Sequence, residues 1–143
     1  MKYFAVLTAL ALLLTGQVFG QSAGAKAELK KFEGNWSFES GMKGGEALPA
    51  EFENTRWQFK GNTFLLKAPD GNQIKLRFTV DPELTPALID FTVVADNMKL
   101  EGIYKFENQK LILCVCEGKN RPSEFTSTKD NQAYLITLKR SKD

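Results

Sequence analysis

The sequence contains no histidine. That absence excludes imidazole acid–base catalysis, the histidine-dependent nucleophile triads and every zinc or copper site that relies on a histidine ligand. Cysteine is scarce as well: Cys114 and Cys116 are the only two, too few to complete a four-ligand structural zinc site by themselves. Neither sign of charge dominates, since 19 Lys and Arg face 17 Asp and Glu for a formal charge of +2. A chain so balanced lacks the basic face that nucleic acid or an anionic lipid surface favours, and neither is expected as a partner. No glycine-rich phosphate cradle occurs either. Gly41-Met42-Lys43-Gly44-Gly45 has neither the spacing nor the strand-to-helix setting, and it reads as a flexible loop between the first two strands.

Long apolar runs are missing from all but the N-terminus. Lys2 supplies a positive start, residues 3–14 are almost unbroken apolar, and Val18-Phe19-Gly20 offers small side chains at a cleavage point. These are the three parts of a secretory signal. The run of about 12 falls short of the roughly 20 residues that span a bilayer. Residues 1–20 are therefore expected to be a signal peptide, and residues 21–143 one exported domain, periplasmic or extracellular, with no membrane span. Ala23-Gly24-Ala25 is a second candidate cut, so the mature start is Gln21 or Lys26. Lys2 is the only charged residue removed, which leaves a formal charge of +1. Eleven Phe, two Trp and three Tyr supply a large apolar core, and a domain of this size buries roughly two-thirds of its unfolded surface.

The mature part carries little helical period. A single helical turn is expected around residues 27–32, before Gly34. Beyond it the apolar residues alternate with polar ones. Ile74, Leu76, Phe78 and Val80 share one face of residues 73–80, against Lys75, Arg77 and Thr79. Residues 55–60 repeat this with Trp57 and Phe59, residues 63–67 with Phe64 and Leu66, and residues 88–94 with Ile89, Phe91 and Val93. Residues 99–106 put Leu100, Gly102, Tyr104 and Phe106 on one face. Segments 35–40, 111–116 and 134–140 complete a set of eight strands. Gly61-Asn62, Asp70-Gly71-Asn72 and Glu107-Asn108-Gln109 mark tight turns, and a longer polar loop covers residues 117–131. Eight short strands with one apolar face apiece suit a closed antiparallel up-and-down barrel, lipocalin-like, with a short N-terminal helix. A two-sheet sandwich shares the same pattern and is the structural alternative. The outer faces carry the charges, which is the inverse of an outer-membrane pore.

Gly34-Asn35-Trp36 opens the first strand and Arg140 ends the last. The pair resembles the Gly-x-Trp and terminal Arg of the calycins, the lipocalins and their relatives. The resemblance implies that Arg140 lies over Trp36 and bonds backbone carbonyls of the N-terminal helix, closing the barrel base; a guanidinium stacks well on an indole while its donors satisfy orphan carbonyls. Residues 30–140 are also similar to a lipocalin-like domain of unknown function widespread in planctomycete bacteria. The similarity is carried by Phe32-Glu33-Gly34-Asn35-Trp36, Phe59-Lys60-Gly61, Pro86-Ala87-Leu88-Ile89-Asp90-Phe91, Gly102-Ile103-Tyr104, Leu111-Ile112-Leu113-Cys114, Arg121-Pro122-Ser123-Glu124-Phe125 and Leu138-Lys139-Arg140. Cys116 departs from that pattern, so no thiol role carries over. The family resemblance implies the fold and an exported chain; it implies no activity.

Candidate chemistry is sparse. Cys114 and Cys116 sit on one face of a strand with Cα atoms about 6.5–7 Å apart, at the long edge of disulfide geometry. Two unlinked thiols packed as small hydrophobes is the favoured reading over a strained bridge or a soft-metal pair. Asp90 and Glu101 are the carboxylates to weigh for acid–base work, yet both alternate with inward apolar neighbours and should face solvent. Arg121 could grip an anion at the barrel mouth; the favoured reading is structural, with Arg121 paired with Glu124 or a carbonyl while Phe125 plugs into the core. The inward set Trp57, Phe59, Phe64, Phe78, Phe91, Tyr104 and Phe106 would line an apolar calyx with the Tyr104 hydroxyl orienting a ligand, or else fill the interior, which in an eight-stranded barrel is just wide enough for side chains or one small ligand. The expectation is an exported binding module for a small apolar molecule, with no cofactor, no metal and no catalysis. The alternative is a filled barrel serving as a protein-interaction or envelope-structural module.

Overall fold

Period-two alternation becomes an antiparallel sheet that closes on itself. The computed structural model describes residues 23–142; the predicted signal peptide at residues 1–20 and the candidate start at Gln21 lie outside the described residues. A helix α1 (Ala23–Phe32) precedes strands β1 (Gly34–Lys43), β2 (Glu46–Ala47), β3 (Arg56–Lys60), β4 (Thr63–Lys67), β5 (Gln73–Asp81), β6 (Ala87–Val93), β7 (Lys99–Glu107), β8 (Lys110–Glu117) and β9 (Tyr134–Arg140), with a 3₁₀ turn η1 at Ala50–Asn54. Each long strand pairs antiparallel with its neighbour in the order β1-β3-β4-β5-β6-β7-β8-β9, and β9 returns to β1. The result is a closed eight-stranded antiparallel up-and-down barrel, lipocalin-like, and not a sandwich. Closure leaves none of the eight strands as an open edge.

The sheet departs from the expected strand set in one place, and the departure matters for the site. Residues 41–45, expected as a flexible loop, instead continue β1 to Lys43 and turn through Gly44 and Gly45 into the two-residue β2, a ninth strand. Both turn glycines have positive φ, 60° and 83°, where a side chain would be strained. Gly45 N–H also donates to Ser127 Oγ at 3.0 Å, which ties the hairpin to the loop before β9. Within β1 the pairing with β9 slips at Glu39: Phe38 stands opposite Leu138 but Ser40 opposite Thr137. Such a bulge shifts the side-chain phase by one. Trp36 and Phe38 point inward before it, and Gly41 and Lys43 after it.

Helix α1 is ten residues long, where only one turn around residues 27–32 was expected. Alanines and lysines give this stretch adequate helix propensity, and its apolar positions Ala25, Leu29 and Phe32 all meet the barrel core. The helix closes one end of the barrel. Phe32 has no exposed surface and pushes its ring between Phe59, Phe78, Tyr104 and Phe106, with centroid distances of 5.6, 5.3, 5.0 and 4.9 Å. Arg140 stacks over Trp36, its Cζ 4.1 Å from the ring, and donates to the carbonyls of Glu33 and, at 2.6 Å, Lys31. Trp36 Nε1 donates to the Phe32 carbonyl at 2.7 Å. Helix C-terminal carbonyls have no partner within the helix; here Trp36 and Arg140 supply them. Gly34 sits beneath the guanidinium at φ 120°, where a Cβ would lie 2.8 Å from Arg140 Nη1.

Candidate functional site

The interior divides into two halves. Four of the seven inward aromatics, Phe59, Phe78, Tyr104 and Phe106, cluster on Phe32 and fill the closed end. Tyr104 does not present its hydroxyl to a calyx. It donates to Glu28 Oε1 of α1 at 3.1 Å, and Glu28 also pairs with Lys31 at 3.0 Å. Burial, with the Glu28 carboxylate beside it, pushes the Tyr104 phenol well above its usual 10. The phenol is a fixed donor locking the helix to the wall.

The other three aromatics, Trp57, Phe64 and Phe91, line the open half. There an apolar cavity of about 200 Å³ opens to solvent, walled also by Phe52, Leu66, Ile74, Leu76, Val93, Leu100, Leu113, Val115, Tyr134 and Ile136. Trp57 and Phe64 stack at 4.9 Å, and Phe64 meets Phe91 at 5.9 Å. The Trp57 indole is held in place by a short relay: Nε1 donates to Thr55 Oγ1 at 2.9 Å, and that hydroxyl donates to the Phe52 carbonyl at 2.7 Å. Phe52 itself leans from η1 onto Phe38, so η1 forms one lip of the opening. Four large apolar side chains near this end are exposed, Met42, Ile74, Val94 and Met98.

A cation stands on the rim at the end of β1. The β1 bulge places Lys43 opposite Tyr134, and the Lys43 ammonium lies 4.8 Å from the centre of the Tyr134 ring. Tyr134 is common to the apolar cavity and to an adjoining polar hollow of about 290 Å³ that contains Lys43, Glu117 and Gln132. Pairing with the Tyr134 phenol, and more weakly the charge of Glu117, holds Lys43 above its usual 10.5. Lys43 is thus a firm cation at neutral pH.

Arg121 is not at this mouth. The loop between β8 and β9 folds back as a strap over the outside of β6, β7 and β8, and Arg121 reaches through it to the wall. Its Nη1 donates to the Gly102 carbonyl at 2.7 Å and more weakly to that of Ile89 at 3.4 Å; Nη2 pairs at 2.7 Å with Asp90 Oδ1, an oxygen shielded from solvent. Asp90, not Glu124, is its carboxylate. Asp90 and Glu101 stand opposite each other on β6 and β7, on the outer face, so they share no interior hollow. The strap also encloses a polar surface hollow of about 530 Å³ lined by Asn120, Ser123, Asp130 and their neighbours. It is larger than the barrel cavity, but its one guanidinium is already spent on Asp90 and the wall carbonyls.

Beneath the strap lies a second apolar cluster. Ile103, Cys114, Cys116 and Ala133 are buried there, with Phe125 packed on them; Phe125 covers the outer wall and does not enter the barrel core. Both cysteines are unlinked. Their thiols donate to strap carbonyls, Cys114 to Glu124 at 3.4 Å and Thr126 at 3.5 Å, Cys116 to Asn131 at 3.4 Å. Burial pushes Cys114 up to about 11 and Cys116 up as well, so neither is a ready nucleophile. Among the described residues no group of three or more potential ligands could hold a metal ion, and no helix is long and apolar enough to cross a membrane.

The second cluster had a signal in the sequence. Leu111-Ile112-Leu113-Cys114-Val115-Cys116 is apolar without interruption, the mark of a strand covered on both faces. Lys43 had none, because its inward phase exists only after the bulge. Comparison with family models, with curated proteins and with solved structures finds no match for the chain.

Proposed function

We propose that the protein is an exported binding module that takes a small apolar molecule into the open half of the barrel and performs no catalysis on it. The observation that carries this reading is the unfilled cavity walled by Trp57, Phe64 and Phe91. Its size defines the ligand. An engineered apolar cavity of about 150 Å³ stays dry and binds benzene, whereas drug-sized ligands occupy about 300–1,000 Å³. At about 200 Å³ the fitting occupant is a single ring or a short alkyl chain. The apolar lining supports binding by burial of hydrocarbon surface, worth about 25 cal/mol per Å². Export rests on the signal-like residues 1–20, and the likeness to the planctomycete lipocalin-like domain is kept as part of the same proposal.

Titration with toluene and 1-octanol, read by intrinsic fluorescence, tests the reading. Trp57 lines the cavity and Trp36 lies at the closed end, so binding should change the emission of the native protein and of Trp36→Phe but not of Trp57→Phe. Retinol-sized ligands should give no saturable change. The absence of any response to toluene and octanol would refute the binding reading. A second reading, a protein-interaction or envelope-structural module, is favoured by the filled closed half and by exposed Met42, Ile74, Val94 and Met98; it predicts that a specific envelope partner is retained when Trp57 is replaced by Phe.

A further inference from the structure

We propose that the occupant of the cavity is a small carboxylic acid, its apolar tail against Trp57, Phe64 and Phe91 and its carboxylate at the rim facing Lys43 and the Tyr134 hydroxyl. The inference rests on the cavity reading above and specifies its ligand class. Four observations converge on it. The bulge at Glu39 turns Lys43 from the outer to the inner phase of β1, where an unbulged strand would put Met42. The backbone beneath Lys43 is braced, since Gly41 accepts from Leu48 N–H at 3.0 Å and Gly45 donates to Ser127. Tyr134 forms a wall shared by the apolar cavity and the polar hollow that holds Lys43, so a chain lying in the first emerges beside the ammonium. The rim offers two donors there, an ammonium and a phenol, against one nearby carboxylate, Glu117.

A buried tail and an exposed charge divide the work between them. Burial of the tail supplies most of the affinity and the same amount for any head group, while the rim discriminates between head groups. Because Lys43 is exposed, solvent screens the pair and the discrimination is modest, about threefold to tenfold. Glu117 works against an anion, so its removal should add to affinity.

The experiment compares octanoate with 1-octanol, which share a tail length, by Trp57 fluorescence on the full chain, in the native protein and in Lys43→Met and Glu117→Gln. The expected result is octanoate binding about threefold to tenfold more tightly than octanol. Lys43→Met should bring octanoate to the octanol value and leave octanol unchanged, and Glu117→Gln should tighten octanoate alone. Octanol binding as well as octanoate in the native protein overturns the proposal and leaves the apolar cavity standing. Equal weakening of both ligands by Lys43→Met also overturns it, since it reduces Lys43 to a structural role. Failure of both ligands to bind overturns this proposal together with the cavity reading. An unchanged urea midpoint in Lys43→Met verifies that the variant is folded.

Discussion

Replacing Phe32 by Ala tests whether the helix is a seated plug or only a neighbour of the barrel. The ring is fully buried and touches four other rings within 5.6 Å. Its removal takes away transfer free energy and leaves a void that rigid strands cannot collapse, and such truncations cost about 3–5 kcal/mol. Against a total stability of about 5–15 kcal/mol, that is a large fraction. With a urea m-value near 2 kcal/mol/M the midpoint should fall by about 2 M, and the melting temperature by about 10–20 °C. The void should accept a ring in trans, so benzene should raise the stability of Phe32→Ala by more than it raises the native protein. Phe32→Leu, which keeps most of the volume, should lose less than half as much. Because Phe32 is not among the residues lining the open cavity, Phe32→Leu should bind octanol within about twofold of the native protein. Urea denaturation followed by tryptophan fluorescence, with and without benzene, measures the first three, and octanol titration of Phe32→Leu the fourth. A loss below about 1 kcal/mol in Phe32→Ala with no benzene effect would refute the two-half interior.

Three further outcomes follow from the wall and the strap. A Cβ at Gly102 would lie 2.4 Å from the Cys114 carbonyl oxygen and 2.9 Å from Val115 Cα, so Gly102→Ala must spread β7 from β8; it should lower stability by about 1–3 kcal/mol, read as a lower urea midpoint. Arg121→Met removes the partner of the shielded Asp90 oxygen and a donor to the Gly102 carbonyl; a loss of about 1–2 kcal/mol, moderated by the partial exposure of Asp90, should loosen the strap and speed native-state labelling of Cys114 by an aromatic disulfide reagent about tenfold. An unchanged labelling rate would mean that the strap is held by its apolar contacts alone. Stability should decline as the pH rises from about 9 towards 11. Burial raises Cys114 from 9.0 to about 11 and raises Cys116 and Tyr104 too, so the unfolded chain releases these protons first as the pH climbs, and the balance moves towards it. In Cys114→Ala the decline should be shallower, with the Tyr104 part retained above pH 10. An equally steep decline there would assign it to other groups.

By itself the sequence determined the all-β class, eight of the nine strands and the inward faces of β3 to β7, because a two-residue period in apolar side chains has one reading on a pleated strand. It also marked the two chain ends, Gly34-Asn35-Trp36 and Arg140, that meet at the barrel base. The tertiary structure decided what those inward faces enclose. The same alternating pattern describes Phe59 and Trp57, yet one is sealed under Phe32 and the other borders an open cavity, since only the depth of the helix in the barrel separates them. For Arg121 the sequence favoured a structural partner, Glu124 or a carbonyl, over an anion at the mouth; the structure supplies the Gly102 carbonyl and Asp90 on the outer wall, which lie 19 and 31 positions away along the chain. Lys43 is the sharpest case: a single unpaired residue at Glu39 reverses the phase of everything after it in β1, and the need for that bulge arises only when β9 is laid alongside.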